Sequence, residues 1–349
     1  MIQKIKKIDY KSAGVDINAG NKAVEIIKKS VKSTFNKNVL TDVGSFGSLY
    51  NLKDFIADYK NPVLVQSIDG VGTKTIIARK MKKYNTIGID LVSACCNDIT
   101  VMGAQPLTFL DYIANDKLNP TIIKEIVDGM TSACRENNIA LVGGETAEMP
   151  DTYLSGEHDL VGVITGLVDK KSIINGSKIR KGNIVLGLPS TGLQTNGYSL
   201  ARKLFFEIGQ YKVSDTLPRL DKSIGEALLE PSFIYNNYIQ LLLQNKIQVN
   251  GMAHISGGGL IENIPRILPS GNAVEIKKDS WPVLQIFKVM QDIGKIDERE
   301  MFRTFNMGIG MVLVVSADQK QKIFSILDRK IAVYEIGKII PGKPSVSFV

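Results

Sequence analysis

The sequence is poor in the residue types that most often mark a specialised class of protein. Its 349 residues include three Cys, two His and one Trp, and aromatics make up 7%. Two of the cysteines, Cys95 and Cys96, are vicinal, the third is Cys134, and no Cys-x-x-Cys occurs. That arithmetic excludes a disulfide framework and a thiolate zinc site, and leaves the thiols as small core residues in a reducing compartment. No apolar run approaches the roughly eighteen residues of a membrane span. The N-terminal stretch MIQKIKKIDYKSAG has Lys but neither an apolar core nor a small-residue cleavage site, so no secretory signal is expected and the expected location is cytoplasmic.

Arginine is scarce as well. The net charge of +8 comes from 43 Lys+Arg against 35 Asp+Glu, and 34 of those bases are Lys and 9 Arg. Arg is the preferred residue for bidentate phosphate and base recognition, and single-strand binders interleave aromatics with their bases. Here the Lys are scattered, as in 27–32 and 79–83, and no basic run is long. Neither a nucleic acid nor a membrane is an expected partner, although the field would attract a phosphorylated small molecule.

The hydrophobic content of 44% and charged content of 22% suit globular domains, about two at roughly 150 residues each. Strands are predicted at 62–69, 85–90, 106–114, 139–146 and 159–169. Asn119 and Pro120 open a helix whose apolar face is Ile122, Ile123, Ile126, Val127, Met130 and Cys134. The polar, glycine-containing stretch 170–183 is the expected boundary between domains 1–172 and 173–349. Beyond it come strands at 183–190, 272–276 and 308–315, and a helix from about Asn196 carrying Leu200, Leu204 and Ile208 inward. Both halves read as α/β.

Three features carry chemistry. Asp69, Asp90, Asp98 and Glu145 fall at or near predicted strand ends, where α/β folds gather ligands. Oxygen ligands without His or Cys suit Mg²⁺, which bridges one or two carboxylates to substrate phosphates; each carboxylate alone could equally cap a loop. Gly70 and Gly72 precede Thr73 and Lys74 in a loop that can aim N–H groups and a cation at phosphate, although Thr73 stands where a Walker A loop has Gly. Gly257, Gly258 and Gly259 precede a predicted helix at Leu260, Ile261, Ile264 and Ile267 and make a second candidate anion site. His254, just before them, is placed to act as a phosphate donor or general acid/base. His158 reads as an exposed turn residue without a role.

Taken together, these segments resemble the phosphoribosylformylglycinamidine cyclo-ligases, the aminoimidazole ribonucleotide synthetases of purine biosynthesis. The similar stretches are 10–17, the Asp69–Lys74 loop, 88–92, Asn97–Pro106, Leu141–Pro150, Thr195–Leu200, Met252–Gly259 and Arg303–Met311, in the expected order. The resemblance implies a homodimer whose N-terminal mixed sheets pair into a barrel-like core, followed in each chain by a larger α/β domain. It also implies ATP-dependent closure of formylglycinamidine ribonucleotide to aminoimidazole ribonucleotide, with ADP and phosphate released, through an iminophosphate. ATP and Mg²⁺ are the implied cofactors, and a need for a monovalent cation stays open. In that reading Asp69, Asp90, Asp98 and Glu145 hold Mg²⁺–ATP, Lys74 and His254 are catalytic, and Gly70, Gly72 and Thr73 line the phosphates. Asn196 and Gly257–Gly259 hold a phosphate, and the segment with Lys11, Gly14 and Asp16 folds over the nucleotide.

One departure concerns Thr191–Ser199, where Gln194 stands in place of the family's usual His and Thr195 in place of Ser. Gln cannot titrate, so acid/base work shifts to His254. The absence of Cys from the first 94 residues separates the chain from selenophosphate synthetases, and the C-terminal Ser-Val-Ser-Phe-Val separates it from the hydrogenase-maturation relative. A thiamine-phosphate kinase would lack the Glu-Met-Pro and Thr-Phe-Asn-Met-Gly segments. A nucleotide-binding scaffold without turnover is the remaining alternative.

Overall fold

A computed structural model describes residues 9–349. In chain order the elements are α1 (Ile17–Lys32), α2 (Lys53–Ile56), β1 (Pro62–Gly70), α3 (Lys74–Met81), α4 (Asn85–Thr100), β2 (Gln105–Asn115), α5 (Pro120–Glu136), β3 (Ala140–Glu148) and β4 (His158–Asp169). They continue with β5 (Ile184–Pro189), α6 (Tyr198–Arg202), α7 (Ile224–Leu228), α8 (Asn236–Gln244), β6 (Val249–His254), α9 (Gly259–Asn263) and β7 (Asn272–Ile276). The last are α10 (Gln285–Gly294), α11 (Glu298–Thr304), β8 (Ile309–Val315), α12 (Ala317–Leu327), β9 (Tyr334–Pro341) and β10 (Val346–Phe348). No described helix is long and apolar enough to cross a membrane.

The strands form two mixed sheets, a four-stranded one in the order β1-β4-β2-β3 and a six-stranded one in the order β10-β7-β9-β5-β8-β6. The six-stranded sheet buries both faces. Leu186, Leu188, Met311 and Leu313 pack with α8 and α12, while Val185, Val312 and Val314 face the main core. The four-stranded sheet is covered on one face by α4 and α5. Its other face is open and apolar: Leu64 is 53% exposed, Ile68 67% and Leu110 40%. Ile68 and Leu110 both pair with Val163 of β4, so the patch runs continuously across three strands.

One predicted strand is a helix. Residues 85–90 begin α4, which is buried on nearly every side and so lacks the polar stripe that marks an amphipathic helix. Its apolar β-branched start resembles a buried strand for the same reason. Two glycines make its crossing with α5 possible. A Cβ on Gly88 would lie 2.0 Å from the Ile126 carbonyl oxygen, and one on Gly129 1.9 Å from that of Asn85. Asn119 caps α5 and Pro120 opens it, as the sequence predicts. The helix expected from Asn196 begins at Tyr198, and after one turn it widens into a π-helical stretch, Lys203–Ile208. Leu204 is buried there, but Ile208 is 53% exposed rather than inward. Cys95, Cys96 and Cys134 are buried free thiols, and burial raises the Cys96 thiol to about 12.

Candidate active site

Strand β1 brings Ser67 and Asp69, two residues apart and therefore on one face, to the edge where α4 ends and β6 arrives from the other half of the chain. Asp98 of α4 accepts at one carboxylate oxygen from Ser67 Oγ (3.2 Å) and contacts His254 Nδ1 at 2.9 Å with the other. A carboxylate on Nδ1 orients the ring and makes Nδ1 the protonated nitrogen, leaving Nε2 for substrate. The His254 side chain is 7% exposed and that of Asp98 39%, so the pair is reached from one side. Asp69 has its pKa raised, chiefly by burial and further by the like charge of Asp98; the Gly70 N–H (2.7 Å) and His254 act against this. The half-buried carboxylate of Asp69 and the partly exposed one of Asp98 beside it are a fitting donor set for a hard cation shared with substrate phosphates. Among the described residues no group of three or more His, Cys, Asp or Glu side chains is set to hold a metal.

The glycine loop follows His254. Gly258 (φ 97°) and Gly259 (φ 56°) have left-handed backbones, and a Cβ on Gly259 would lie 2.2 Å from the Phe302 carbonyl oxygen. Asn196 Oδ1 lies 3.2 Å from where a Cβ on Gly257 would stand, so the Asn196 loop meets the triple-glycine loop. In the other loop Gly72 and Thr73 remain exposed while Val71 and Lys74 turn inward.

Two expected site residues are elsewhere. Lys74 and Asp90 are both 0% exposed and form an ion pair of 2.7 Å with each other. Lys74 also donates to the Glu230 carbonyl (2.7 Å), and Asp90 accepts from Ser232 N (2.8 Å) and Oγ (2.6 Å). Burial pushes the Lys74 pKa down and that of Asp90 up, each opposed by the partner's charge. This corrects the expectation that Asp90 binds metal and Lys74 reaches phosphate. With residue 90 in a helix rather than at a strand end, its carboxylate faces α3 and the 230–232 segment instead of the sheet edge. Glu145 is also displaced. It pairs with Tyr112 in β3–β2 register and is exposed, and strand alternation puts it on the open face, opposite Asp69.

Lys11 and Asp16 pair with each other at 2.7 Å, and Asp16 caps α1 by accepting from Asn18 N and Ala19 N. Glu148 ties this segment down, accepting from Asp16 N (2.6 Å) and Leu118 N (2.8 Å), while Gly14 (φ 101°) packs on Pro150. Lys11, Gly14, Asp16 and Glu148 line an open cavity of about 450 Å³. His158 is buried rather than in an exposed turn. Its Nδ1 lies 2.7 Å from Asn115 Oδ1, its ring stands edge-on to Tyr84, and burial lowers its pKa. Gln194 is buried in a left-handed backbone (φ 62°) and donates to the Tyr235 hydroxyl at 3.2 Å.

Sequence reasoning missed Asp111. It shares a row with Asp69 across Gly162 of β4, and burial raises its pKa to about 7. The only signal in the sequence was an acidic residue in a largely apolar strand; its place opposite Gly144 of β3 comes from register alone.

Two family models match the chain: the N-terminal domain of AIR synthase related proteins over residues 55–168, and their C-terminal domain over 180–349. The chain is 49% identical to the phosphoribosylformylglycinamidine cyclo-ligase of Citrifermentans bemidjiense over 350 aligned residues, covering 99% of this chain and 100% of that one. It is 48% identical to the enzyme of the same name from Alkaliphilus oremlandii, covering 97% and 99%. Among solved structures it is similar in fold to thiamine-monophosphate kinase from Stenotrophomonas maltophilia (TM-score 0.69, 17% identity, covering 93% and 95%). It is also similar to hydrogenase maturation protein HypE in complex with ATP (TM-score 0.63, 16% identity, covering 90% and 85%).

Proposed function

This chain belongs to the phosphoribosylformylglycinamidine cyclo-ligases of the AIR synthase related family, and from that premise we propose how its residues carry the reaction. It is an ATP-dependent ligase of purine biosynthesis that closes formylglycinamidine ribonucleotide to aminoimidazole ribonucleotide, with ADP and phosphate as the other products. The carrying observation is an identity of nearly one half over nearly the whole of both chains.

An amide oxygen is a poor leaving group, so closure requires its activation. In our reading that oxygen attacks the γ-phosphorus of ATP, ADP departs, the amide nitrogen gives up its proton to solvent, and an iminophosphate results. The amidine nitrogen then bonds to the activated carbon, the carbon–oxygen bond breaks, phosphate leaves, and the nitrogen sheds a proton. His254 Nε2, held by Asp98 through Nδ1, takes that proton, and once protonated it can donate to the transferred phosphoryl group. Phosphoryl transfer depends mainly on positioning and charge neutralisation. Asp69 and Asp98 would hold Mg²⁺, which when bound neutralises phosphate charge. Gly70, Gly72 and Thr73 line the nucleotide phosphates, Asn196 and Gly257–Gly259 hold a further phosphate, and the docked Lys11–Asp16 segment borders the nucleotide.

The open face of the four-stranded sheet supports a homodimer in which the sheets of two chains pack together. An apolar face of this kind needs a cover, and a second copy would bring Glu145 into the joined core. We assign residues 1–172 to nucleotide binding and dimerisation, residues 173–349 to the substrate, and the cytoplasm as the compartment. A coupled assay for ATP- and substrate-dependent formation of the aminoimidazole nucleotide tests the reading, and no product with authentic substrate and Mg²⁺ would sink it. Within it, His254→Ala should lower kcat by about 10²–10⁴; near-normal turnover would remove His254 from the chemistry.

A further inference from the structure

The loop between His254 and α9 has its carbonyls gathered at one point. Nδ2 of Asn263, a buried side chain on α9, lies 3.3 Å from Ser256 O, 3.1 Å from Gly257 O and 2.9 Å from Gly259 O. A side-chain amide has two N–H bonds, so one is shared between two of these acceptors. The reverse orientation of the amide would set Oδ1 against three carbonyl oxygens, and electrostatic repulsion excludes it.

In a trans peptide unit the C=O and N–H point in opposite directions, and no described peptide bond is cis. Drawing the carbonyls of Ser256 and Gly257 toward Asn263 therefore turns the N–H groups of Gly257 and Gly258 away from it. Neither N–H has a hydrogen-bond partner among the described residues, and Gly257 is exposed. The left-handed backbone of Gly258 and Gly259 permits this arrangement, which a residue with a Cβ would resist.

We propose that Asn263 is a positioning residue that gives the glycine loop its anion-binding face by holding three of its carbonyls behind it. The inference rests on the assignment of Gly257–Gly259 to a phosphate. It names a residue that touches no substrate yet decides which way the loop's amides point. Glu262 and Arg303, which pair at 2.8 Å beside the loop, are more than 40% exposed and cannot do this from inside.

The test is titration of the wild-type chain and of Asn263→Ala, Asn263→Ser and the near-isosteric Asn263→Asp with inorganic phosphate, followed by the amide ¹⁵N–¹H shifts of Gly257 and Gly258. Those two amides should move in the wild type. Phosphate affinity should fall about tenfold in Asn263→Ala, less in Asn263→Ser, which keeps one donor, and most in Asn263→Asp, whose carboxylate repels the carbonyls. In turnover, KM for one phosphate-bearing substrate should rise while kcat stays within about twofold. If wild-type turnover is normal but phosphate moves other amides, the loop is not the phosphate site and the proposal falls with that assignment. If Gly257 and Gly258 respond with equal affinity in the wild type and in the variants that fold, the assignment stands and the role of Asn263 is refuted.

Discussion

Replacing Lys74 by Met removes one half of a charge pair that water does not reach. Both side chains are 0% exposed and 2.7 Å apart, so Asp90 would keep its two hydrogen bonds from Ser232 but lose its counter-ion. Breaking a buried pair from one side costs about 3–5 kcal/mol, because an uncompensated charge is left in a medium of low polarity. At roughly 2.1 cal/mol/K per residue, 349 residues unfolding as one unit have an entropy near 0.7 kcal/mol/K, so Tm should fall by about 4–7 °C at pH 7. Part of the cost is the Glu230 carbonyl left without its donor, worth about 1 kcal/mol. The double variant Lys74→Met/Asp90→Asn has no buried charge and should cost about 1–2 kcal/mol, well below the sum of the two single changes. The single variant should also recover stability as pH falls. Asp90 has its folded pKa raised by burial, further still without Lys74, so its protonated form is favoured in the folded state and the penalty grows as pH rises through that folded value. Urea denaturation at pH 5 and pH 7 measures all of this. A loss below about 1 kcal/mol for Lys74→Met, or strict additivity in the double variant, would refute the argument. KM for ATP separates structure from catalysis: a pair that only joins the halves leaves it near the wild-type value in the double variant, whereas a phosphate-holding Lys74 raises it sharply.

Three further outcomes follow from the geometry. Gly88→Ala would drive a methyl group to 2.0 Å from the Ile126 carbonyl and force α4 and α5 apart, at a cost of about 3 kcal/mol by chemical denaturation. His158 has a folded pKa lowered by burial, so its contribution is complete above the unfolded value of about 6.5 and is lost as pH falls from there toward the folded value. His158→Gln should flatten that part of the stability–pH curve, and an unchanged slope would show that another group causes it. Ile68→Lys places a charge at the centre of the open sheet face, and sedimentation equilibrium is expected to find a dimer for the wild type and a monomer for the variant; a monomeric wild type would refute the proposed dimer, and a variant that stays dimeric would move its interface elsewhere.

Strands β1, β2, β3, β4, β5, β7 and β8 and helix α5 were legible because each has strong local signals: alternation or β-branched and apolar runs, and at α5 an Asn-Pro start. Helix α4 was not, because a helix buried on all sides carries no polar face to set its period. Its misreading carried Asp90 into the wrong company. Asp98, on the same helix, still reached the edge, because it lies eight residues, just over two turns, further along. The grouping of Asn196 with the glycine loop came from the resemblance alone, because a contact between loops about 60 residues apart is made by tertiary packing. Asp111 escaped notice because its meaning depends on cross-strand register, which no local pattern encodes.

The amino-acid sequence by itself determined the chemistry available to this protein: the carboxylates, the lone His before three glycines, the Lys-rich surface and the ordered segments shared with its relatives. Tertiary structure alone decided which of those groups work together. Asp98 and His254 are 156 residues apart in the chain and 2.9 Å apart in space, while Lys74 and Asp90, equally suited by type to hold phosphate or metal, neutralise each other in the interior. The physical reason is burial. The same charged group binds ligands at a solvent-facing edge and serves as an internal tie once packing removes its water, and whether packing does so depends on contacts from the other half of the chain.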